Sequence, residues 1–387
     1  MRIDASSSKR ERHPRGTILV MGAFVLVVML GFTALAVDVG IIASTHAQLQ
    51  TVSDAAALAG ARQLVSDRRL STTITDITPE INAAVAKAIA VGSENTVAGQ
   101  AVQLTSTNIV VGYINDDPPS PNPNTAISTA SPLKFNSVQV TASYTVPALF
   151  SSVFRSTGST VTATSTATVG IYPIGGYNGN LGLNASILPL TLDQATYNAM
   201  LQGTTTDQYT FTSSNYNPPT NNGVTSGADG VKESRAFPVG TGSPGNFGTL
   251  SFDGKGGGGA SALKAEIVSG MTPTQISADL PVPSMFYAQS GLASTMGNPS
   301  GSSPLDSIIG KAVSLPIWDT TNGANGANLQ YHIVSFASVR IMAVNFQGSN
   351  KYVIVQPAIV TDPTAIPNTG TASSWTNGGV VFLHLSR

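Results

Sequence analysis

Four histidines, His13, His46, His332 and His384, are the side chains best suited to proton transfer or to holding a transition metal, and they lie far apart. No H-x-x-x-H pair and no His/carboxylate cluster accompanies them, so the spacing of a zinc site is missing and no metal is expected. His332 falls in an alternating apolar/polar run and reads as a structural or surface residue. "GKGGGGAS" (Gly254 to Ser261) has the glycine content of a phosphate-cradling loop but lacks the G-x-x-x-x-G-K-[ST] order, so it reads as a turn ahead of the helical "SALKAEIVSG". No G-x-S-x-G marks a nucleophilic serine. Cysteine is absent, which excludes disulfides, thiolate metal sites and thiol nucleophiles. Glycoside hydrolysis needs two carboxylates about 5–10 Å apart. The acids from Asp193 to Asp362 are sparse, and nothing in their spacing favours a pair. Neither a cofactor nor an enzymatic activity is expected.

The elements that would carry such groups are unusual in composition. Only 10% of the 387 residues are charged, against a common share of about 25%, and Ser, Thr, Asn and Gly supply the polarity instead. A net charge of −1 gives no field for a polyanion, so nucleic acid is not an expected partner. The charge is unevenly placed, with Arg2, Lys9, Arg10, Arg12 and Arg15 crowded at the start. From Gly16 to Val37, "GTILVMGAFVLVVMLGFTALAV" carries no charge. As a helix it spans about 33 Å, enough to cross the hydrocarbon of a bilayer. The preceding basic cluster is expected to stay cytoplasmic, leaving the bulk of the chain extracytoplasmic. Asp38 then marks the membrane exit, either as a solvated interfacial carboxylate or as a polar contact to another membrane helix. "ALA" at Ala34 to Ala36 has the form of a signal-peptidase site. The length of the apolar run and the helical pattern that continues past it favour an uncleaved anchor in the bacterial cytoplasmic membrane.

From Val39 to Leu64 there is no proline. Ile42, Thr45, Leu49, Val52, Ala56 and Ala59 follow the 3,4 spacing of one helix face. Ala36, Gly40 and Ser44 form a second stripe of small residues at i, i+4, and Ala55–Ala59 and Ala56–Gly60 repeat the pattern. Two readings stand side by side: close approach of a second helix, or packing of an alanine-rich helix on this chain's own β-structure.

The run "ALAVDVG", then "AQLQ", then "DAAALAGARQL" resembles the N-terminal segment of TadG-like proteins of the tight-adherence (Flp) pilus assembly system. Members of that family show a similar "AVDVGR…R.QLQ.AADAAALAGA" pattern. Val37 to Gly40, Gln48 to Gln50 and Asp54 to Ala61 carry the match. "GNFGTLSFDGKGGGGASALKAEIVSG" and "YHIVSFASVRIMAVNFQG" are similar to later family segments, less sharply. The resemblance implies partners among pilus-assembly or secretion proteins. Some members have a von Willebrand A domain with a D-x-S-x-S metal site. "DASSS" at Asp4 to Ser8 has that spacing but lies in the cytoplasmic tail with no strand before it, so no Mg²⁺ site is expected. Related pseudopilins are processed after a glycine with glutamate five residues on. Gly16 is present, but Met21 stands where the glutamate would be, against a pilin subunit.

Beyond the anchor, a short helix is expected with Thr78 as its cap, Pro79 in its first turn, and Ile81, Val85, Ala88 and Ile89 on its apolar face. "AVQLTSTNIVVGYI", "FNSVQVTASYTVPALF" and "STVTATSTATVGIYP" alternate as strands with one wetted face, and "DDPPSPNPN" is a loop. A second unit starts near Ile174. It holds Asn/Gly/Pro/Ser-rich loops at about 213–230 and 295–304, and closing strands over 331–346 and 351–361. The fold class is α+β: one long N-terminal transmembrane helix extending beyond the membrane, then a β-rich extracytoplasmic region. The expected divisions are a basic tail (1–15), the transmembrane helix (16–37), its continuation (38–69), a first α+β unit (70–173) and a second β-rich unit (174–387). The leading functional expectation is a membrane-anchored accessory protein of pilus assembly or secretion. A surface adhesin or ligand-binding module is the alternative, and an envelope hydrolase the third.

Overall fold

We describe the protein from a computed structural model covering residues 15–115, 126–150, 158–237, 248–252, 260–276, 284–288, 304–323, 328–345, 352–368 and 379–385. The expectations for "DASSS", "DDPPSPNPN", most of "GKGGGGAS" and nearly all of the 295–304 loop lie outside those residues.

Helix α1 runs unbroken from Arg15 to Gln63, 49 residues and therefore about 73 Å. Nothing interrupts it because the whole stretch lacks proline and alternates strong helix formers with apolar residues. Its two halves meet different surroundings. In the first, side chains are exposed on every side, as at Ile18, Phe24, Val28 and Phe32. In the second, Thr45, Leu49, Val52 and Ala56 of the 3,4 face expected from the sequence are buried, while Ile42 and Ala59 of that face are half-buried, and the burial extends to Ala57, Ala61 and, just past the helix, Leu64. Helix α2 (Thr78–Glu94) lies beside this half and buries Ala84, Ala88 and Gly92. Thr78 is not its cap: it is the first helical residue, and its N–H and hydroxyl both donate to Asp76 Oδ1, at 3.0 and 2.6 Å. A small antiparallel pair follows, β1 (Thr96–Val97) with β2 (Gln100–Ala101), then β3 (Ile109–Gly112), β4 (Ser137–Val146) and β5 (Ser159–Tyr172). Only two short pieces of the long run expected over 101–114 are strand, because a 3₁₀ turn at Ser106–Asn108 intervenes. There Asn108 Oδ1 accepts from the Thr105 N–H at 2.9 Å, a local bond that competes with a ladder.

Pro173 separates β5 from β6 (Ile174–Tyr177), where the chain changes sheets. Then come β7 (Leu192–Asp193), α3 (Gln194–Leu201), β8 (Tyr209–Asn217), β9 (Asn221–Ser226), β10 (Ser234–Phe237), β11 (Leu250–Ser251) and α4 (Ala260–Ser269). The last seven strands are β12 (Ser284–Ala288), β13 (Ala312–Asn322), β14 (Gln330–Asn345), β15 (Tyr352–Pro357), β16 (Ile359–Val360), β17 (Ala365–Pro367) and β18 (Gly379–Leu385). A nine-stranded sheet is centred on β14, which pairs with β12, β13, β15 and β6. A five-stranded sheet has the order β16-β18-β5-β4-β3. Mixed α+β with the strands dominant beyond the helix is therefore the fold class. One departure from the expected division concerns the C-terminus. β16 and β18 join the sheet of the first unit, with Val380 opposite Tyr172, so residues 174–387 do not form one separate sheet.

The five-stranded sheet packs one face on α1. Val138, Val140, Ala142, Ala163, Ala167 and Val169 meet the alanine face of the helix, and the Ser53 hydroxyl donates to Ala163 O at 3.2 Å. On the other face the threonine hydroxyls pair across the ladder, Thr141 with Thr164 and Thr145 with Thr160. Gly60 is where the approach is tightest. A Cβ there would sit 3.1 Å from Ala84 O, 3.1 Å from Val138 Cγ1 and 3.3 Å from Ala88 Cβ. At Gly40 nothing lies within 4 Å. Gly60→Leu is therefore expected to cost about 2 kcal/mol or more by overpacking. Gly40→Ala should gain up to about 1 kcal/mol of helix propensity. Denaturant midpoints of the detergent-solubilised protein check both, and equal effects at the two glycines would refute the asymmetry.

Candidate functional site: the anchor and the surfaces around its exit

The site residues expected from sequence fall in three different environments along α1. Ala36, Gly40 and Ser44 are exposed, on the stretch where the helix leaves the apolar run. Ala56 and Gly60 are buried in this chain's own core against α2 and β4. The small-residue pattern therefore splits: its later part serves packing of the helix on this chain, and its earlier part lies open.

Asp38 is not a solvated interfacial carboxylate within this chain. It is 8% exposed, and its Oδ1 accepts from the Phe150 backbone N–H at 3.3 Å. The residues just past β4, at the end of the β4–β5 hairpin, fold back on α1 here. Asp38, Ile41, Ile42, Val146, Pro147 and Ala148 line a small cavity of about 20 Å³ at the contact. Sequence alone could not find this bond, because its partners are 112 residues apart.

The far end of α1 is held by charges that sequence reasoning missed. Arg69 is buried in the 3₁₀ turn Asp67–Leu70, and it donates to Leu64 O, Phe135 O and Leu133 O at 3.1, 2.8 and 2.8 Å. A cation there satisfies the Leu64 carbonyl left open just past the helix end, complements the helix dipole and ties that end to the segment before β4. Arg68 forms a forked pair with Glu80 of α2, at 3.0 and 2.8 Å. Burial would raise the Glu80 carboxyl, but the hydrogen bonds and charge of Arg68 outweigh it and hold the pKa below its usual value. Arg340 comes from β14 of the nine-stranded sheet. Its guanidinium pairs with Asp67, donates to Gly310 O and stacks 3.5 Å from the centre of the Phe211 ring. Between these elements lies a cleft of about 540 Å³ lined by Arg62, Asp67, Arg68, Glu80, Phe211 and Thr361 among others.

Phe211 belongs to the β8–β9 hairpin, where the sequence reading expected a loop over 213–230. The polar composition is misleading because carboxylates, Glu233 buried and Asp207 and Asp229 half-buried, hold the hairpin base. Asp207 accepts from the N–H groups of Asp229 and Gly230, Asp229 from Val231 and Phe211, and Glu233 from Gln208 and Tyr209. Burial, with Asp207 and Asp229 close by, pushes Glu233 up from 4.5 to about 7 against the pull of its two N–H donors. His332 pairs with Asp319 at 2.7 Å on the strand surface. Among the described residues no group of three His, Cys, Asp or Glu side chains is placed to hold a metal ion.

Two expectations about stability follow from these contacts. Arg340→Ala should cost about 3 kcal/mol, since it strands Asp67 and Gly310 O and uncovers Phe211. Asp67→Ala should cost about 1 kcal/mol, because Arg340 keeps its other two partners. Urea midpoints would show this ranking, and a reversed order would refute the account. The second concerns pH. Folded Glu233 keeps its proton to about pH 7 while the unfolded chain loses it near 4.5. The folded state thus binds more protons between those values, and this contribution to stability, complete below about 4.5, is lost as pH rises through 7. Glu233→Gln should flatten the decline in melting temperature from pH 5 to 8, while lowering stability overall because it offers one acceptor oxygen for two N–H donors. An unchanged slope would assign the pH dependence to other groups.

The helix that carries these features coincides with a known sequence family. The family model Tad, described as Flp pilus-assembly TadE/G-like, matches residues 16–63, the length of α1 but for its first residue. No curated protein and no solved structure matches the chain. By length and composition α1 is also the one described helix able to cross a membrane, with a mean hydropathy of 2.7 in its most apolar window, none of which is buried. Residues 16–63 are thus similar to the TadE/G-like Flp pilus-assembly family, and they form a helix long and apolar enough to anchor in a membrane that continues into a folded, β-rich region.

Proposed function

We propose that this protein is a non-enzymatic, single-pass accessory component of Flp/Tad-type pilus assembly or secretion that works through protein contacts. The match of the TadE/G-like model to 16–63 carries the reading, because those residues form the anchor and its grip on the rest of the chain. The N-terminus lies in the cytoplasm and the β-rich region outside the bacterial cytoplasmic membrane, an orientation supported by the basic cluster from Arg2 to Arg15. Helix α1 passes through Ala36–Val37 without a break, which supports retention of the anchor over cleavage after Ala36. Contacts to other assembly proteins form where α1 emerges, at Ala36, Gly40 and Ser44. These three are exposed, whereas Ala56 and Gly60 are already used within the chain.

Cross-linking in intact membranes followed by affinity capture of the full-length protein is expected to recover other pilus-assembly proteins. Recovery of none would refute the reading. Ala36→Leu with Gly40→Leu should lower that recovery several-fold while leaving the membrane level unchanged and the thermal stability of the protein no lower. Full recovery with the double variant would remove the exposed stripe from the account.

A further inference from the structure

We propose that the residues just past β4 make a second membrane contact, with Leu149 and Phe150 seated in the headgroup/acyl boundary of the same bilayer that α1 crosses. Large apolar side chains should not sit in water without reason when they are adjacent, and these two are 54% and 48% exposed. Their position along α1 identifies what covers them. The hairpin is registered on the helix at two points, Ser53 against Ala163 and Asp38 against Phe150. From Ser53 to Asp38 the helix descends about 22 Å toward the apolar run, and the hairpin descends with it. The uncharged run ends at Val37, and a hydrocarbon core of about 30 Å takes up about 20 helical residues. Asp38 therefore lies at the start of the interfacial layer, and the Phe150 amide, bonded to its carboxylate, lies at the same depth.

The occupant is the lipid itself. On the adjoining helix turns Phe32, Leu35, Val37 and Val39 are exposed as Leu149 and Phe150 are, and the bond from Phe150 to Asp38 brings the two sets of apolar side chains to the same level. The bond to Asp38 fixes the depth of the pair, and partial burial at the boundary is how apolar side chains attach to an interface. Leu133 provides the contrast. It is comparably exposed, but its carbonyl binds Arg69 beyond the other end of the helix, about 39 Å from Asp38 when measured to Leu64. A hairpin resting on the membrane beside the anchor would fix the tilt of the folded region, which a lone helix leaves free.

The proposal rests on the membrane reading of α1, and the experiment separates the two. The chain has no cysteine, so single-cysteine variants of the full-length protein label without background. Leu149→Cys, Phe150→Cys, Leu133→Cys and Val28→Cys would each carry bimane, in liposomes of phosphatidylethanolamine and phosphatidylglycerol containing this protein alone. Quenching by lipid nitroxides is expected to be several-fold stronger at 149 and 150 than at 133, and greatest from shallow nitroxide positions. At 28 the strongest quenching should come from deep positions. Quenching at 149 and 150 equal to that at 133, with 28 still quenched, would overturn the hairpin contact alone. No quenching at 28 would overturn the anchor and the proposal with it. Protection of 149 and 150 from aqueous iodide without lipid quenching would assign the patch to a second copy of the chain and overturn the proposal. Asp38→Ala should cut the lipid quenching at 150 by several-fold, and unchanged quenching would refute the carboxylate as the pin.

Discussion

One continuous helix must satisfy two solvents, and most of the architecture follows from where it changes from one to the other. Up to Val37 every face of α1 is apolar and open, which is stable only in lipid. Past Asp38 the same helix shows one buried face and one wetted face, which is stable only against a folded domain. The change takes place within one turn, with no proline, glycine pair or loop to separate the regimes. A lone carboxylate marks it, and that carboxylate is the first buried side chain of the anchor among the described residues. Because the backbone is unbroken, the folded part is coupled to the membrane by a rod rather than a tether.

A rod transmits orientation only if both of its ends are gripped, and the chain grips both with hydrogen bonds to the backbone. At the membrane side Asp38 holds the Phe150 N–H. At the far side Arg69 collects three carbonyls, and the neighbouring Asp67 takes the guanidinium of Arg340 from the larger sheet. Between them the alanines and Gly60 let the helix lie close on α2 and the sheet, where larger side chains would force it away. The low charge content is consistent with this economy: several of the charged groups present are buried and bonded, as at Asp38, Arg69, Glu80, Glu233 and Arg340.

How much of this was legible in the sequence depends on the range of the interaction. The anchor, its extension, the 3,4 face from Ile42 to Ala59 and the strands at 137–146 and 159–172 rest on local periodicity, and local periodicity is what a single sequence displays. The hairpin over 209–226 was hidden because its polar residues look like loop, while the carboxylates that stabilise it act from flanking positions. Asp38 was visible as an anomaly but not as a ligand of Phe150. The spacing of 112 residues has no local signature. For the same reason nothing in Arg340 or Asp67 announced their pairing. The two meanings of the small-residue stripe could not be separated either, since alanine at i, i+4 serves a helix partner and a sheet equally well.

The C-terminus shows why the division into successive units is too simple. β18 lies beside β5, and β5 lies against α1, so the last strand of the chain completes the sheet that the anchor helix rests on. Val380 pairs with Tyr172 across a long stretch of intervening sequence, a non-local contact. The α1, β4 and β5 contacts close over shorter separations and cover Leu49 and Val52. The cover of the anchor helix is thus the more local part of the fold, and the sheet that β18 completes the less local part.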